Sequence, residues 1–240
     1  MKKKFYYNLH MHSCLSPCGE VEMTPNNIVN MSKLLGFDII ALTDHNTVLN
    51  CPAVAKLAAQ AGLCFLPGME LSTSEEIHVV CLFASYDDAY RFFEYVRSTQ
   101  MQIPNKEDIY GEQIIMDEND IQTWRVDGIL WIATGIGVFD VKKLVEQYNG
   151  VCFPAHIDRK SNSLLSSLGD IPPECGFNAA EVYETAKIGE LSKKHPILND
   201  MFILSNSDAH SLEKMREPES FFELEQATPE AVLNFLRTSP

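Results

Sequence analysis

The sequence predicts an α/β fold: one domain built as a barrel of about seven β/α units, with an inserted segment at about residues 99–137. Three observations predict it. Short apolar runs of strand length alternate with stretches that carry helix start and stop signals. Histidines and carboxylates gather where those apolar runs end, as they do at the mouth of a barrel. The length of 240 residues suits a single barrel.

The elements follow in order. Residues 5–11 form a strand that ends in His10 and His12. Thr24 and Pro25 supply an N-cap and a first helical residue, and Gly36 stops that helix. Residues 38–43 form a buried strand that runs into Asp44 and His45. A second helix covers 50–61 and stops at Gly62. Residues 63–66 are a third strand, followed by Pro67, Gly68, Met69 and Glu70. Residues 77–84 are a fourth strand and 87–98 a helix.

The rhythm then breaks. The stretch 103–127 is polar and acidic, holds Pro104 and Gly111, and shows no readable internal pattern. A long irregular connection in a compact domain is often functional. Alternation resumes with a helix at 140–149, closed by Gly150, and a strand at 151–154 before His156. Strands at 179–183 and 201–207 follow, the second leading to Asp208 and His210. Thr228 and Pro229 open a last helix.

Composition narrows the function. Lys and Arg number 19 against 33 Asp and Glu, a formal net charge of −14. That balance argues against a broad grip on long duplex nucleic acid or an anionic membrane. A small phosphorylated substrate or short oligonucleotide stays open, because a bound cation reverses the local field. Three lysines near the start are not followed by an apolar stretch, and no apolar run approaches the ~18 residues of a membrane span. A cytoplasmic location is therefore expected. The seven cysteines are odd in number and contain no C-x-x-C pair, so neither a disulfide framework nor a structural zinc knuckle is expected. Cys64, Cys81 and Cys152 lie in strand-like runs and are expected in the core; Cys14 and Cys18 lie in the loop after the first histidine pair.

The chemistry lies in the histidines. Of the seven, His10, His12, His45, His78, His156 and His210 sit at or beside strand ends, accompanied by Asp44, Glu70 and Asp208. His10 and His12, two apart, point to one side of a strand and suit one metal ion, and Asp208 with His210 repeats the spacing. Asp44 and His45 are adjacent and diverge on a regular strand. One of them is then a ligand and the other a partner that orients a neighbouring imidazole. Imidazole with carboxylate suits Zn²⁺, Mn²⁺ or Fe²⁺. His195 stands at a helix end among lysines and is expected on the surface. Arg159 and Lys160, just after His156, are candidates to hold a phosphate, with a solvated loop pair as the alternative. Lys187 and Arg216 are weaker candidates. Tyr110, Trp124, Trp131 and Phe139 can stack on a base, although packing of the insertion accounts for them more simply.

The ordered set His10-x-His12, Thr43-Asp44-His45-Asn46, Glu70, His78, His156 and Asp208-x-His210 resembles the PHP (polymerase and histidinol phosphatase) family over roughly 5–86 and 150–212. The resemblance implies a distorted (β/α)7 TIM-like barrel whose mouth holds two or three divalent ions (Zn, Mn or Fe) and hydrolyses phosphoesters. It implies that His10, His12, Glu70 and Asp208 hold one ion, that Glu70 bridges to a second held by His78 and His156, and that His45 and His210 serve a third. Family members usually continue from His-x-His into Ser-Asp-Gly, whose Asp binds the third ion. Here Pro17, which has no ligand atom, stands at that place in Ser13-Cys14-Leu15-Ser16-Pro17-Cys18-Gly19. The third position is then absent, weak, or held with help from Cys14, Cys18, Glu20 or Glu22.

The expected function is metal-dependent hydrolysis of a small phosphomonoester, nucleotide or short oligonucleotide by a metal-activated water. His45 or His210, with Asp44 nearby, is the candidate to assist the leaving group. The alternatives are amidohydrolase-type hydrolysis of an amide or ring, and a metal-binding module without catalysis.

Overall fold

The computed structural model describes residues 1–238. The first half holds β1 (Lys3–Asn8), α1 (Pro25–Leu35), β2 (Ile39–Leu42), α2 (Cys51–Ala61), β3 (Cys64–Ser72), β4 (His78–Leu82) and α3 (Tyr86–Thr99). The inserted segment carries α4 (Glu107–Tyr110) and a hairpin of β5 (Ile114–Met116) and β6 (Gln122–Arg125). The second half continues with α5 (Val138–Gln147), β7 (Val151–Pro154), α6 (Leu164–Leu168), β8 (Ala179–Glu181), α7 (Ile188–Lys194), β9 (Phe202–Leu204), β10 (Phe221–Leu224) and α8 (Pro229–Thr238).

Local chemistry sets the helix boundaries. Thr24 Oγ1 accepts from Asn27 N–H at the start of α1. Gly36 closes that helix at φ 88°, its N–H donating to the carbonyls of Ser32 and Lys33. Gly62 does the same for α2 at φ 70°.

Six strands form one curled sheet in the order β10-β1-β2-β3-β4-β7, and β8 and β9 form a separate parallel pair. Main-chain contacts draw the two together. Ile157 N–H donates to Glu181 O at 2.8 Å beyond β7. Met11 and Ala209 form an isolated parallel bridge beyond β1 and β9. The result is an α/β fold whose sheet curls into a half-barrel.

The regular β/α alternation fails between β3 and β4 and again between β9 and β10. Only five residues separate β3 from β4. No crossover helix fits there, so the two strands pair antiparallel, and β4 pairs antiparallel with β7. β3 is also longer than its apolar run suggests, passing through Pro67 and Gly68 to Ser72. This extension places Glu70 inside a strand. β10 has no clear signal in the sequence and adds to β1 antiparallel.

Alternate residues of the strands face two apolar layers. Ile40 and Leu42 pack with Ile28, Val29 and Val54 of α1 and α2. Ile39 and Ala41 join Leu66, Val80, Phe153 and Leu204, together with Val232, Leu233 and Leu236 of α8. Cys81 and Cys152 are buried as expected, whereas Cys64 is half-buried. His195 departs from expectation: it is 5% exposed, and its Nδ1 lies 2.7 Å from Asp170 Oδ1. Pro196 turns the chain into a 3-10 segment right after α7, which folds that ring inward. No helix among the described residues is long and apolar enough to cross a membrane.

The insertion is fastened beside the strand ends. Asn46 Nδ2 donates to the carbonyls of Leu130 and Ile132 at 2.7 and 3.0 Å. Met116 N–H donates to Asn50 Oδ1, and Ile114 N–H to Cys14 O.

Gly68 marks the tightest place in the sheet. A Cβ there would stand 2.6 Å from Cys81 O and 2.7 Å from Leu82 Cδ2. Gly68→Ala should therefore cost about 1–3 kcal/mol through overpacking. Thermal unfolding followed by circular dichroism checks this; an unchanged Tm would show that β3 and β4 part without cost.

Candidate metal centre

The predicted ligands converge from across the chain. His10 and His12 follow β1, His45 follows β2, Glu70 lies in β3 and His78 opens β4. His156 follows β7, and Asp208 and His210 follow β9. At His156 and Asp208 the backbone turns left-handed, with φ of 29° and 45°. Each such turn costs on the order of 1–3 kcal/mol and persists only where surrounding contacts hold it.

Glu70 is the hub. Its Oε1 lies 2.9 Å from His78 Nδ1, 3.0 Å from His156 Nε2 and 3.3 Å from His10 Nε2. Its Oε2 lies 3.1 Å from His45 Nδ1 and 3.2 Å from His12 Nε2. Asp208 Oδ1 lies 3.3 Å from both His10 Nε2 and His12 Nε2. That oxygen is buried without a hydrogen-bond partner. Three groups of donor atoms gather closely enough to hold an ion: His10, His12 and Asp208; His45, Glu70 and His78; and His12, Cys18, His45 and His210. Buried imidazole nitrogens facing shared carboxylate oxygens, one of them orphaned, form a donor set that fits divalent cations.

A supporting layer aims these donors. Both oxygens of Glu181 lie 3.0–3.1 Å from His10 Nδ1, which turns Nε2 toward Glu70 and Asp208. Glu181 also accepts from His156 N–H and from Asn206 Nδ2. Sequence reasoning missed this residue. Its signal was a lone carboxylate inside the apolar run Ala179-Ala180-Glu181-Val182, and it is fully buried. Asp44 takes up both its oxygens with Ser13 N–H, Ser13 Oγ and Ser16 Oγ, at 2.6–2.7 Å. Ser16 Oγ in turn lies 3.0 Å from His12 Nδ1. Of the adjacent pair, His45 points into the cluster, while Asp44 holds the loop that positions His12.

Electrostatics divides the imidazoles. Burial alone would lower the pKa of His10 and His12, but Glu181, Asp208 and Glu70 outweigh it and raise His10, and Asp208 and Glu70 raise His12 to about 9. His45 and His210 go the other way. Burial and the neighbouring His12 hold His45 well below the usual histidine range and His210 at about 4. Both are neutral near pH 7 and free to donate lone pairs. Burial pushes the Cys18 thiol up, and Glu70 and Asp44 add to the effect.

The cluster floors a cavity of about 190 Å³ whose wall includes Cys18, Trp131, Arg159 and Asn162. A second cavity of about 520 Å³ adjoins it through His45, His78 and Trp131. Arg159 Nη2 pairs with Asp208 Oδ2 at 2.8 Å, and its guanidinium lies over Tyr183 at 4.4 Å. Lys160 is exposed and outside this wall, and Lys187 pairs with Glu184. Arg216 lies over the same Tyr183 ring at 4.7 Å. Trp131 is 38% exposed: it packs edge-on against Tyr110 within the insertion and also lines both cavities. Trp124 and Phe139 are exposed.

Residues 8–186 match the PHP domain family. A 5'-3' exoribonuclease, Rnm, of Salmonella typhimurium is 33% identical over 81 residues, which is 32% of this chain and 27% of that protein. Among solved structures, a lesion-specific endonuclease from Pyrococcus furiosus superposes with TM-score 0.67 at 19% identity, covering 98% of this chain and 56% of that one. An Endonuclease Q complex with a 27-mer duplex gives 0.68 at 19% identity, covering 98% and 57%. A proposed metal-dependent phosphoesterase from Bifidobacterium adolescentis gives 0.62 at 16% identity, with 97% of each chain covered. The matched stretch thus spans only about a quarter of the exoribonuclease, and the chain a little over half of the P. furiosus endonuclease.

Fold and donor set together define an α/β half-barrel with a donor set for divalent ions at its strand ends. The chain belongs to the PHP domain family.

Removing the carboxylate behind His10 should loosen the centre without emptying it. Glu181→Gln should weaken divalent-metal binding by about 10–100-fold. Competition with a chromophoric chelator measures this; unchanged affinity would show that His10 is held without Glu181.

Proposed function

We propose that this protein hydrolyses a phosphoester of a nucleotide or short oligonucleotide, or of another small phosphorylated molecule, at a centre of two or three divalent ions. The observation that carries the reading is Glu70, whose two oxygens are shared among five imidazoles. A carboxylate so placed suits a bridge between two ions. In this reading His10, His12 and Asp208 complete one position, His78 and His156 a second, and His45 and His210 belong to a third. The donors suit Zn²⁺, Mn²⁺ or Fe²⁺. When bound, such ions supply Lewis acidity for the phosphoryl oxygens and lower the pKa of water.

The chain's own residues do the rest. Arg159 stands at the wall with its guanidinium aimed at the cluster, and a phosphate oxygen can share it with Asp208. Lys160 is too far into solvent to join it. The neutral state of His45 and His210 favours their role as ligands over proton delivery, and Asp44 acts through Ser16 on His12. Trp131 offers a planar apolar face beside the cluster, which favours a substrate carrying a base. The nucleic-acid substrates named for the exoribonuclease and the endonuclease point the same way. The duplex in the Endonuclease Q complex removes the ground for excluding long duplexes on net charge.

The test is a panel of nucleotides, 5'-phosphorylated oligonucleotides, duplex DNA, p-nitrophenyl phosphate, bis-p-nitrophenyl phosphate and small amides. It is run with Mn²⁺- or Zn²⁺-loaded protein and with metal counted by elemental analysis. Phosphoester turnover with at least two ions per chain is expected. No phosphoester turnover would sink the reading, and fewer than two ions at full loading would remove the bridged centre. Arg159→Met should raise KM for the best substrate by about 10–100-fold, with a smaller change in kcat. Unchanged KM would take phosphate binding away from Arg159.

A further inference from the structure

We infer that Cys18 is a metal ligand, forming with His45 and His210 a thiolate-bearing position beside the Glu70 cluster. The inference rests on the phosphoesterase reading for its purpose, though not for its existence. The donor atoms of Cys18, His45, His210 and His12 lie within 4.8 Å of one another. Donors ~2.0–2.3 Å from one tetrahedral ion stand roughly 3.3–3.8 Å apart, so small side-chain rotations close the group. His12 belongs elsewhere. Its Nδ1 meets Ser16 Oγ, and its Nε2, with a single lone pair, lies 3.3 Å from His10 Nε2 and from Asp208 Oδ1. One thiol and two imidazoles remain, with a fourth place open to the cavity that all three line.

The loop that carries Cys18 is tied to the backbone of both partners. His45 N–H donates to Ser16 Oγ at 3.2 Å, and Glu20 N–H donates to His210 O at 2.8 Å. Between them, Gly19 N–H donates to Ser16 O at 2.8 Å. A Cβ on Gly19 would stand 2.3 Å from Ser13 O, so the turn beside Cys18 has no room for a side chain. Cys14 has a different setting. It is buried, and its Sγ donates to Ile114 O at 3.7 Å in the insertion. The same loop thus holds one structural cysteine and one that faces the cluster.

A thiolate donor changes which ion is preferred. Sulfur with two imidazoles selects Zn²⁺ over Mn²⁺, whereas the all-nitrogen-and-oxygen groups around Glu70 accept either. On binding, the Cys18 thiol releases its proton to solvent and the metal–sulfur bond forms.

The test is Co²⁺ titration of metal-free full-length protein, read by absorbance. Sulfur coordination gives an intense near-ultraviolet charge-transfer band that nitrogen and oxygen donors do not. The wild type should develop the band and Cys14→Ser should keep it. Cys18→Ser should lose it together with about one ion per chain. Cys18→Asp should lose the band but retain the ion, with preference moved toward Mn²⁺. Circular dichroism checks that each variant folds. Absence of the band in Co²⁺-loaded wild type, or its persistence in Cys18→Ser, would overturn the inference. Phosphoester turnover measured on the same samples keeps the two readings apart. A band without turnover leaves the thiolate position standing and removes the phosphoesterase reading; turnover without a band does the reverse.

Discussion

A carboxylate only 1% exposed, surrounded by five imidazoles, constrains everything else in this molecule. Burying an ion costs several kcal/mol unless its partners are close and well aimed. Glu70 meets that condition only when the ends of β1, β2, β4 and β7 stand around β3. No local segment brings more than two of the imidazoles. The centre is therefore a product of the curled sheet. Because β3 must carry Glu70 past Thr43 and Cys81, Gly68 leaves no side chain in the way.

Support for the centre is spread through a second set of buried polar groups. Glu181 fixes His10 and also accepts from the main chain at His156, where the backbone is left-handed. Arg159 N–H donates to His156 O and closes the same turn. Asp44 and Ser16 fix His12, and Asn46 ties the insertion to the loop after β2. Glu181, Arg159 and Ser16 touch the clustered side chains directly, whereas Asp44 and Asn46 hold the loops beside them. Strain at His156 and Asp208 is tolerable because the bonds that aim the ligands also hold the turns.

Much of this was legible in the sequence, for identifiable reasons. Helix ends at Gly36 and Gly62 were written in local cap chemistry, which needs no tertiary context. The clustered side chains were visible because histidines gathered at apolar run ends are rare by chance. Glu181 was hidden, since a single carboxylate in a strand looks like a solvent-facing residue until the opposite strand is known. The β3–β4 hairpin was hidden because alternation counts elements and not their directions. The inward ring of His195 was hidden because it depends on Asp170, 25 residues away. Trp131 packs on Tyr110 of its own segment, and that it also faces the cavity is decided by how the insertion docks.

Net charge was the least transferable clue. A count of −14 suggests a uniform repulsion of polyanions. The structure spends those carboxylates locally. Asp44, Glu70, Glu181 and Asp208 are buried in the centre. In the insertion, Glu107 and Glu112 pair with Arg125, and Asp120 holds Thr24 and Asn26. At the cavity wall stands the Arg159 guanidinium, over Tyr183. Two divalent ions would add a further four positive charges there. A phosphate entering the cavity therefore meets Arg159 and the cluster, and the formal total says little about its path. Under the proposed reading, shape rather than total charge limits the substrate: an inner cavity of about 190 Å³ over the cluster meets, past Trp131, a larger one of about 520 Å³.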